Sequence, residues 1–220
     1  MSRANNKHCR IRTYVIVREA HERREFMPEL TAHVSASGKL LEESIMKQSV
    51  DPKRPKPVHP EVRIGHVHLK VADLERAIAF YRDVLGFEIT QRYGQEAAFL
   101  SAGGYHHHIG LNTWESQGGS PPPRDATGLY HVAIVYPNRA QLADALRRLI
   151  QSGIPLEGAS DHGVSEALYL RDPDGNGVEL YWDRPKEQWP RAADGGIEMF
   201  TRPLDLKALL KEAPARSERT

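Results

Sequence analysis

Two histidines and one glutamate have the residue types and the placement of a metal-binding set. His66 and His131 lie 65 residues apart, each near the start of a short run that alternates apolar and polar residues, and Glu179 lies in a third such run. This alternation is typical of half-buried β-strands. Two imidazoles and one carboxylate on one side of an ion leave positions open for substrate or water, and such a set suits Fe(II), Mn(II) or Zn(II). The pattern predicts a divalent metal at His66, His131 and Glu179.

Three consecutive histidines form a second cluster that could take part in chemistry. If this run is a strand, His106 and His108 share one face and His107 points to the other, so only one side can line a pocket. By the same alternation, His68 shares the face of His66. We expect His68, His106 or His108 to transfer protons near neutral pH. A polar strand at the sheet edge is the alternative.

Two further residues could line the same pocket. Tyr169 lies in a strand-like run, and its hydroxyl could donate to a bound oxyanion if it faces the metal. A place in the core is the alternative for this aromatic residue. His162 lies in a predicted loop. We expect its side chain to be exposed. The alternatives are a role in a lid or a hydrogen bond to one of the metal ligands.

The elements that must position these residues follow one plan twice. Each half has a strand, an amphipathic helix and three further strand candidates. Asp73 and Asn138 are in place to cap the helices, and Gly86 and Gly153, which lie 67 residues apart, are in place to end them. The sequence therefore predicts an α+β fold with two βαβββ units in tandem.

The change in composition along the chain predicts how it divides into segments. Residues 1–61 are polar and end in a proline-rich linker, and residues 184–220 form a polar tail with a short leucine-containing helix. Between them lies one domain, residues 62–183, with a first module at 62–117 and a second at 127–183. Met46 is an alternative start of the protein.

The composition limits the classes of function. Lys plus Arg number 30 and Asp plus Glu 29, so no overall field attracts nucleic acid or anionic membrane. No apolar run approaches the length of a bilayer span. The single cysteine, Cys9, cannot form an internal disulfide or a thiolate cluster. These features predict a cytoplasmic protein with a small-molecule substrate, and neither nucleic acid nor membrane as a partner.

Two stretches carry a resemblance to a known superfamily. The run from Gly65 to Phe87 (GHVHLKVADLERAIAFYRDVLGF) and the run from Asp172 to Leu180 (DPDGNGVEL) resemble the vicinal oxygen chelate superfamily. This group includes glyoxalase I, extradiol dioxygenases, and fosfomycin- and bleomycin-resistance proteins. The resemblance implies tandem βαβββ modules that form a curved mixed β-sheet, with His66, His131 and Glu179 as metal ligands. It also implies a homodimer.

Two narrower stretches, 101–112 and 160–170, resemble bacterial catechol-2,3-dioxygenase-like proteins. This resemblance implies an extradiol dioxygenase that holds Fe(II), or else Mn(II), and cleaves a small aromatic substrate through two adjacent oxygens. A glyoxalase-like isomerase, lyase or thiol transferase with Zn(II), Ni(II) or Mn(II) is the rival. Glyoxalase I has a glutamate ligand where the stretch 106–112 has no carboxylate, which disfavours that isomerase. A third hypothesis is a metal-free protein that binds a small aromatic compound.

Overall fold

The computed structural model describes residues 56–123 and 125–215. The chain divides into two units, residues 1–60 and 61–220. Nearly all of the first unit lies outside the described residues, as does most of the predicted N-terminal extension. The second unit contains every predicted site residue.

The first module folds in the predicted βαβββ order. Its α-helix, Leu74–Ile78, begins at Asp73, whose side chain accepts a hydrogen bond from the Arg76 backbone N–H, and it continues as a π-helix over Ala79–Val84; together they form α1. Gly86 follows at a φ of 88°, as predicted. The strands are β1 (Val67–Lys70), β2 (Glu88–Tyr93), β3 (Ala97–Ser101) and β4 (Ile109–Asn112), in the spatial order β1-β4-β3-β2 with β1 parallel to β4.

The histidine run at 106–108 is not part of a strand. It precedes β4, which begins at Ile109, whereas the alternation argument assumed a strand from His106 onwards. The prediction that His106 and His108 share one face therefore has no basis, because alternation holds only for extended backbone.

The second module repeats the order with a longer helix. Asn138 caps α2 (Arg139–Gln151) by accepting from the Gln141 backbone N–H. The strands are β5 (Val132–Val135), β6 (Gly158–Asp161), β7 (Ser165–Arg171) and β8 (Gly177–Asp183), and the tail adds β9 (Arg202–Pro203). The order is β5-β8-β7-β6-β9, with β5 parallel to β8. Two mixed sheets with few helices confirm the α+β class.

A buried contact joins the two modules. Tyr81 in α1 is fully buried and its hydroxyl donates to Asp172 Oδ2 at 3.0 Å, in the turn between β7 and β8. In the same turn, Asp174 Oδ1 accepts from the Ala72 backbone N–H and from Arg76, each at 2.8 Å. The first helix is thus tied to the last hairpin of the second module.

The tail packs on the second module. Asp205 caps the short helix α3 (Leu206–Leu210), and Leu209 on this helix is completely buried. Arg139 at the start of α2 pairs with Glu212 just beyond α3. The helix of the tail thus lies at Leu206–Leu210 and turns Leu209 into the protein interior. None of the helices in the described ranges has the length and apolar character that crossing a bilayer demands.

Candidate active site

His131 and Glu179 meet at one end of the second sheet. Val132 pairs with Val178 in the parallel register of β5 and β8, so His131, just ahead of β5, lies close to Glu179 on β8. His131 Nε2 is 2.9 Å from Glu179 Oε2, and the glutamate side chain is only 13% exposed. A Cβ on Gly177 would lie 2.0 Å from the Tyr130 carbonyl oxygen, so only glycine permits this approach of the strands.

The pair has the chemistry of a partial metal site. Imidazole nitrogen and carboxylate oxygen are the donors that divalent transition metals take in mixed sites. The second ring nitrogen of His131, Nδ1, is buried without a hydrogen-bond partner in the described part of the chain. A buried polar atom without a hydrogen-bond partner costs free energy. Such atoms are therefore more typical of functional sites than of a packed core. His131 and Glu179 therefore fit two positions of the predicted ligand set.

Tyr169 adds a hydroxyl to this pair. It is the direct cross-strand partner of Glu179 in the antiparallel pairing of β7 and β8, and its hydroxyl lies 3.1 Å from Glu179 Oε1. Burial, followed by the charge of Glu179 and this hydrogen bond, raises the pKa of Tyr169 to about 12. The phenol is therefore protonated at neutral pH and can donate to an anion.

His162 lies in the site, which corrects the expectation that it is exposed. It is half-buried, and its Nε2 is 2.7 Å from the Tyr169 hydroxyl. Its Nδ1 is 3.0 Å from the Phe200 carbonyl oxygen. The β6–β7 hairpin, with Asp161 paired to Glu166, brings His162 alongside Tyr169. The position of His162 in a predicted loop did not indicate this contact. The short spacing between the two flanking strands, which is typical of a hairpin, could have indicated it.

His131, His162 and Tyr169 line one cavity, and Glu179 contacts two of them. Its volume is about 470 Å³, and its walls include Tyr130, His131, Ser160, His162, Tyr169 and Thr201. This size lies within the range of small-molecule sites. Thr201 comes from the tail, and no motif in the sequence indicated that the tail contributes to the walls.

The first module holds a separate histidine group. His66 is exposed just ahead of β1, and its ring centroid is 4.4 Å from that of His107. His68 contacts Trp114, with ring centroids 5.6 Å apart. Burial and then the neighbouring His66 lower the pKa of His68, and the same two causes, in this order, lower that of His107. Both shifts favour the neutral imidazole, which can accept a proton.

The other two members of the run have different partners. His106 Nδ1 is 2.7 Å from His107 Nδ1, and His108 Nδ1 is 2.9 Å from the Ser101 hydroxyl. His107, which was not among the predicted proton-transfer residues, is thus the imidazole of this run whose ring contacts that of His66.

The described residues do not bring all three predicted ligands together. They contain no group of three or more His, Cys, Asp or Glu side chains arranged to hold a metal ion. His131 and Glu179 meet, whereas His66, just ahead of β1 in the other module, does not join them within the described part of the chain.

Comparison with known proteins places these features in a family. The family model described as "Glyoxalase/Bleomycin resistance protein/Dioxygenase superfamily" matches residues 63–180. Catechol-2,3-dioxygenase of Bacillus subtilis is 42% identical over 157 residues, which are 71% of this chain and 54% of that protein. Biphenyl-2,3-diol 1,2-dioxygenase 3 of Rhodococcus globerulus is 35% identical over 123 residues, 55% of this chain and 63% of that protein. The chain thus spans less than two thirds of each relative.

A solved structure shares the fold. A glyoxalase/dioxygenase from Nostoc punctiforme has a TM-score of 0.50 and 18% sequence identity, and the match covers 60% of this chain and 99% of that one. This likeness is one of fold alone.

Proposed function

Because this chain belongs to the glyoxalase, bleomycin resistance protein and dioxygenase superfamily, we propose that it is a metal-dependent extradiol dioxygenase acting on a small catechol-like aromatic. The observation that carries the proposal is the contact of Glu179 with both His131 and Tyr169 beside a cavity of about 470 Å³. The likeness to catechol-2,3-dioxygenase supports the choice of reaction. Both atoms of O₂ enter the product as the ring C–C bond beside the hydroxyls breaks, so no external reductant is needed.

The proposed cofactor is Fe(II), with Mn(II), Zn(II) or Ni(II) as alternatives. His131 and Glu179 would hold it. When bound, the metal would acidify a catechol hydroxyl and hold substrate and O₂ close together.

The side chains around the pair have separate tasks. The protonated Tyr169 hydroxyl donates to negative charge on a substrate oxygen. A neutral imidazole from the first module accepts the proton of the substrate hydroxyl. The predicted candidates were His68, His106 and His108, but the ring contact of His107 with His66 favours His107 for this task.

We propose that a second copy of the chain supplies His66. Strands β1 and β5 are the terminal strands of their sheets, and such edges are open to pairing with another chain. Ile64, just ahead of β1, is 97% exposed, and Tyr130, just ahead of β5, is 79% exposed. A homodimer that joins β1 of one copy to β5 of the other would cover these side chains and bring His66 to the His131–Glu179 pair.

Complementation between two variants tests this arrangement. His66→Ala and Glu179→Gln each remove one ligand. In a mixed dimer, a site shared between copies has one intact set, so random exchange restores about a quarter of the metal sites. If each site instead forms within one chain, mixing restores none.

The reaction itself is tested with metal-free protein that is reconstituted anaerobically with Fe(II). We expect O₂ uptake on addition of catechol, and its loss in Glu179→Gln. Glu88→Gln, a change at an exposed residue of the other module, is the matched control and should retain uptake. Metal binding without O₂ uptake for any catechol would instead support a glyoxalase-like isomerase, lyase or thiol transferase. Absence of metal binding would leave a small-molecule-binding protein.

A further inference from the structure

We propose that residues 184–203 of the tail are part of the active site, where Phe200 and Thr201 hold His162 as the Nδ1–H tautomer that faces Tyr169 with Nε2. This inference deepens the proposed function, since it assigns a positioning role beside the same cavity. The segment lies beyond residues 63–180, which the family model matches.

The segment is fixed at its start by a partly buried ion-pair network. The Arg184 guanidinium donates to both carboxylate oxygens of Asp161, at 2.6 and 3.1 Å, and to Glu166 Oε1 at 2.8 Å. The arginine side chain is 19% exposed and that of Glu166 only 7%. Asp161 and Glu166 are paired residues of the β6–β7 hairpin, so Arg184 ties the tail to the hairpin that carries His162.

The segment returns to the same hairpin at its end. In β9, Pro203 pairs with Ser160 and Arg202 with Asp161, which makes β9 the fifth strand of the sheet. Residues 184 and 202 therefore both contact Asp161. The chain between them forms a loop that begins and ends at the β6–β7 hairpin.

Phe200 is packed against the turn after His162. The Phe200 backbone N–H donates to the His162 carbonyl at 3.3 Å. A Cβ on Gly163 would lie 2.6 Å from the Phe200 ring, and Gly163 has a φ of 78°. The Arg202 guanidinium covers the same ring at 4.1 Å from its centroid. Glycine at 163 thus allows the tail to approach the turn, and the ring holds the Phe200 carbonyl in place.

The Phe200 carbonyl decides which imidazole nitrogen carries hydrogen. A carbonyl oxygen only accepts, so His162 Nδ1, at 3.0 Å, must donate to it. The Thr201 hydroxyl is 3.3 Å from the same nitrogen and also lines the cavity. In the neutral imidazole, Nε2 is then an acceptor, and it lies 2.7 Å from the Tyr169 hydroxyl.

This tautomer gives the Tyr169 hydroxyl two acceptors for one hydrogen. Glu179 Oε1 is at 3.1 Å and His162 Nε2 at 2.7 Å. Both acceptors lie within hydrogen-bonding distance of the same hydroxyl, so the tail limits the orientation of the phenol by presenting His162 Nε2 as an acceptor. Phe200 and Thr201 are therefore positioning residues.

The tautomer is tested by ¹⁵N NMR of the histidine side chains in the full-length, metal-free protein, which requires no catalytic activity. The His162 signals are assigned by their loss in His162→Gln. We expect the neutral Nδ1–H pattern in the wild type and a mixture of tautomers in Phe200→Ala. Phe200→Leu should restore the wild-type pattern, and Ile197→Ala, an apolar truncation at an exposed residue of the same segment, should not alter it.

Kinetics supply the second readout. For Phe200→Ala we expect kcat/KM for catechol to fall about tenfold, because displaced catalytic groups lose rate steeply, with rescue by Phe200→Leu. The proposal is overturned if the wild type has the Nε2–H tautomer, or if Phe200→Ala keeps the wild-type tautomer. A protein without dioxygenase activity that has the Nδ1–H pattern would refute the proposed function and leave the positioning intact.

Discussion

Glu179 on β8 contacts two side chains, one just ahead of β5 and one on β7. Its Oε2 lies 2.9 Å from His131 Nε2, ahead of β5, and its Oε1 lies 3.1 Å from the Tyr169 hydroxyl on β7. A carboxylate held from both sides has little freedom to rotate. Ligand groups of fixed direction are what a metal site needs from the surrounding protein.

Removing the Tyr169 hydroxyl should weaken metal binding. Tyr169→Phe leaves Glu179 without its hydrogen-bond donor on β7, and loss of such a partner reduces metal affinity by roughly 10- to 100-fold. Isothermal titration with Mn(II) measures the change. Tyr136→Phe, which alters a tyrosine that packs against the core, is the control and should bind like the wild type. Equal affinity in all three proteins would show that Tyr169 does not support the ligand.

Gly177→Ala should disrupt the site through the backbone. The added Cβ would lie 2.0 Å from the Tyr130 carbonyl oxygen and 3.0 Å from His131 Cα, so β5 and β8 must separate where the site forms. We expect a loss of about 2 kcal/mol or more in the free energy of unfolding, typical of imposed strain in a packed region. Denaturant unfolding measures it. Gly65→Ala, whose Cβ would make an ordinary contact at 3.5 Å, should change stability little.

The contact between modules should be a measurable part of stability. Tyr81→Phe removes the buried hydroxyl that donates to Asp172, so the free energy of unfolding should fall by about 1–2 kcal/mol. Asp172 keeps other donors, including the Asp174 and Asn176 backbone N–H groups, which limits the loss. Tyr93→Phe, at a residue that is 60% exposed, should have no effect in the same urea titration.

The anchor of the tail should give a distinct pH dependence. Burial opposes ionisation of Asp161, but the hydrogen bonds from Arg184 and the Gly163 backbone N–H hold its pKa below the usual range. A lowered pKa in the folded state stabilises above the unfolded value of about 3.9, and this contribution is lost as the pH falls through the folded pKa. The difference in unfolding free energy between wild type and Asp161→Asn should be constant above about pH 5 and shrink below about pH 4. A difference that does not vary with pH would contradict the assignment.

Local chemistry made part of the fold predictable from the sequence. Asp73 and Asn138 cap their helices as expected, and Gly86 follows α1 with a positive φ, because capping depends on residues only a few positions apart. Within the second module, the pairing of β5 with β8 brings His131 to Glu179, and the hydrophobic pattern of the strands specifies this pairing.

The remainder depends on contacts between distant segments. The packing of the modules is held by Tyr81 and Asp172, which lie 91 residues apart, and no periodicity indicates which edges then face each other. This is why the position of His66 relative to the other two ligands could not be predicted. His107 was assigned to the wrong side because residues 106–108 precede β4 and do not follow strand alternation. The Phe200 contact is made by a backbone carbonyl, which no residue type reveals.

The most direct test of the central claim is the isotopic composition of the product formed from catechol under ¹⁸O₂. The Fe(II)-reconstituted protein is mixed with catechol, and the product is reduced at once so that its carbonyl oxygen does not exchange with water. An extradiol dioxygenase should give a ring-opened product that contains two ¹⁸O atoms. A product without ¹⁸O, or unchanged catechol beside a fully metal-loaded protein, would contradict the proposed reaction.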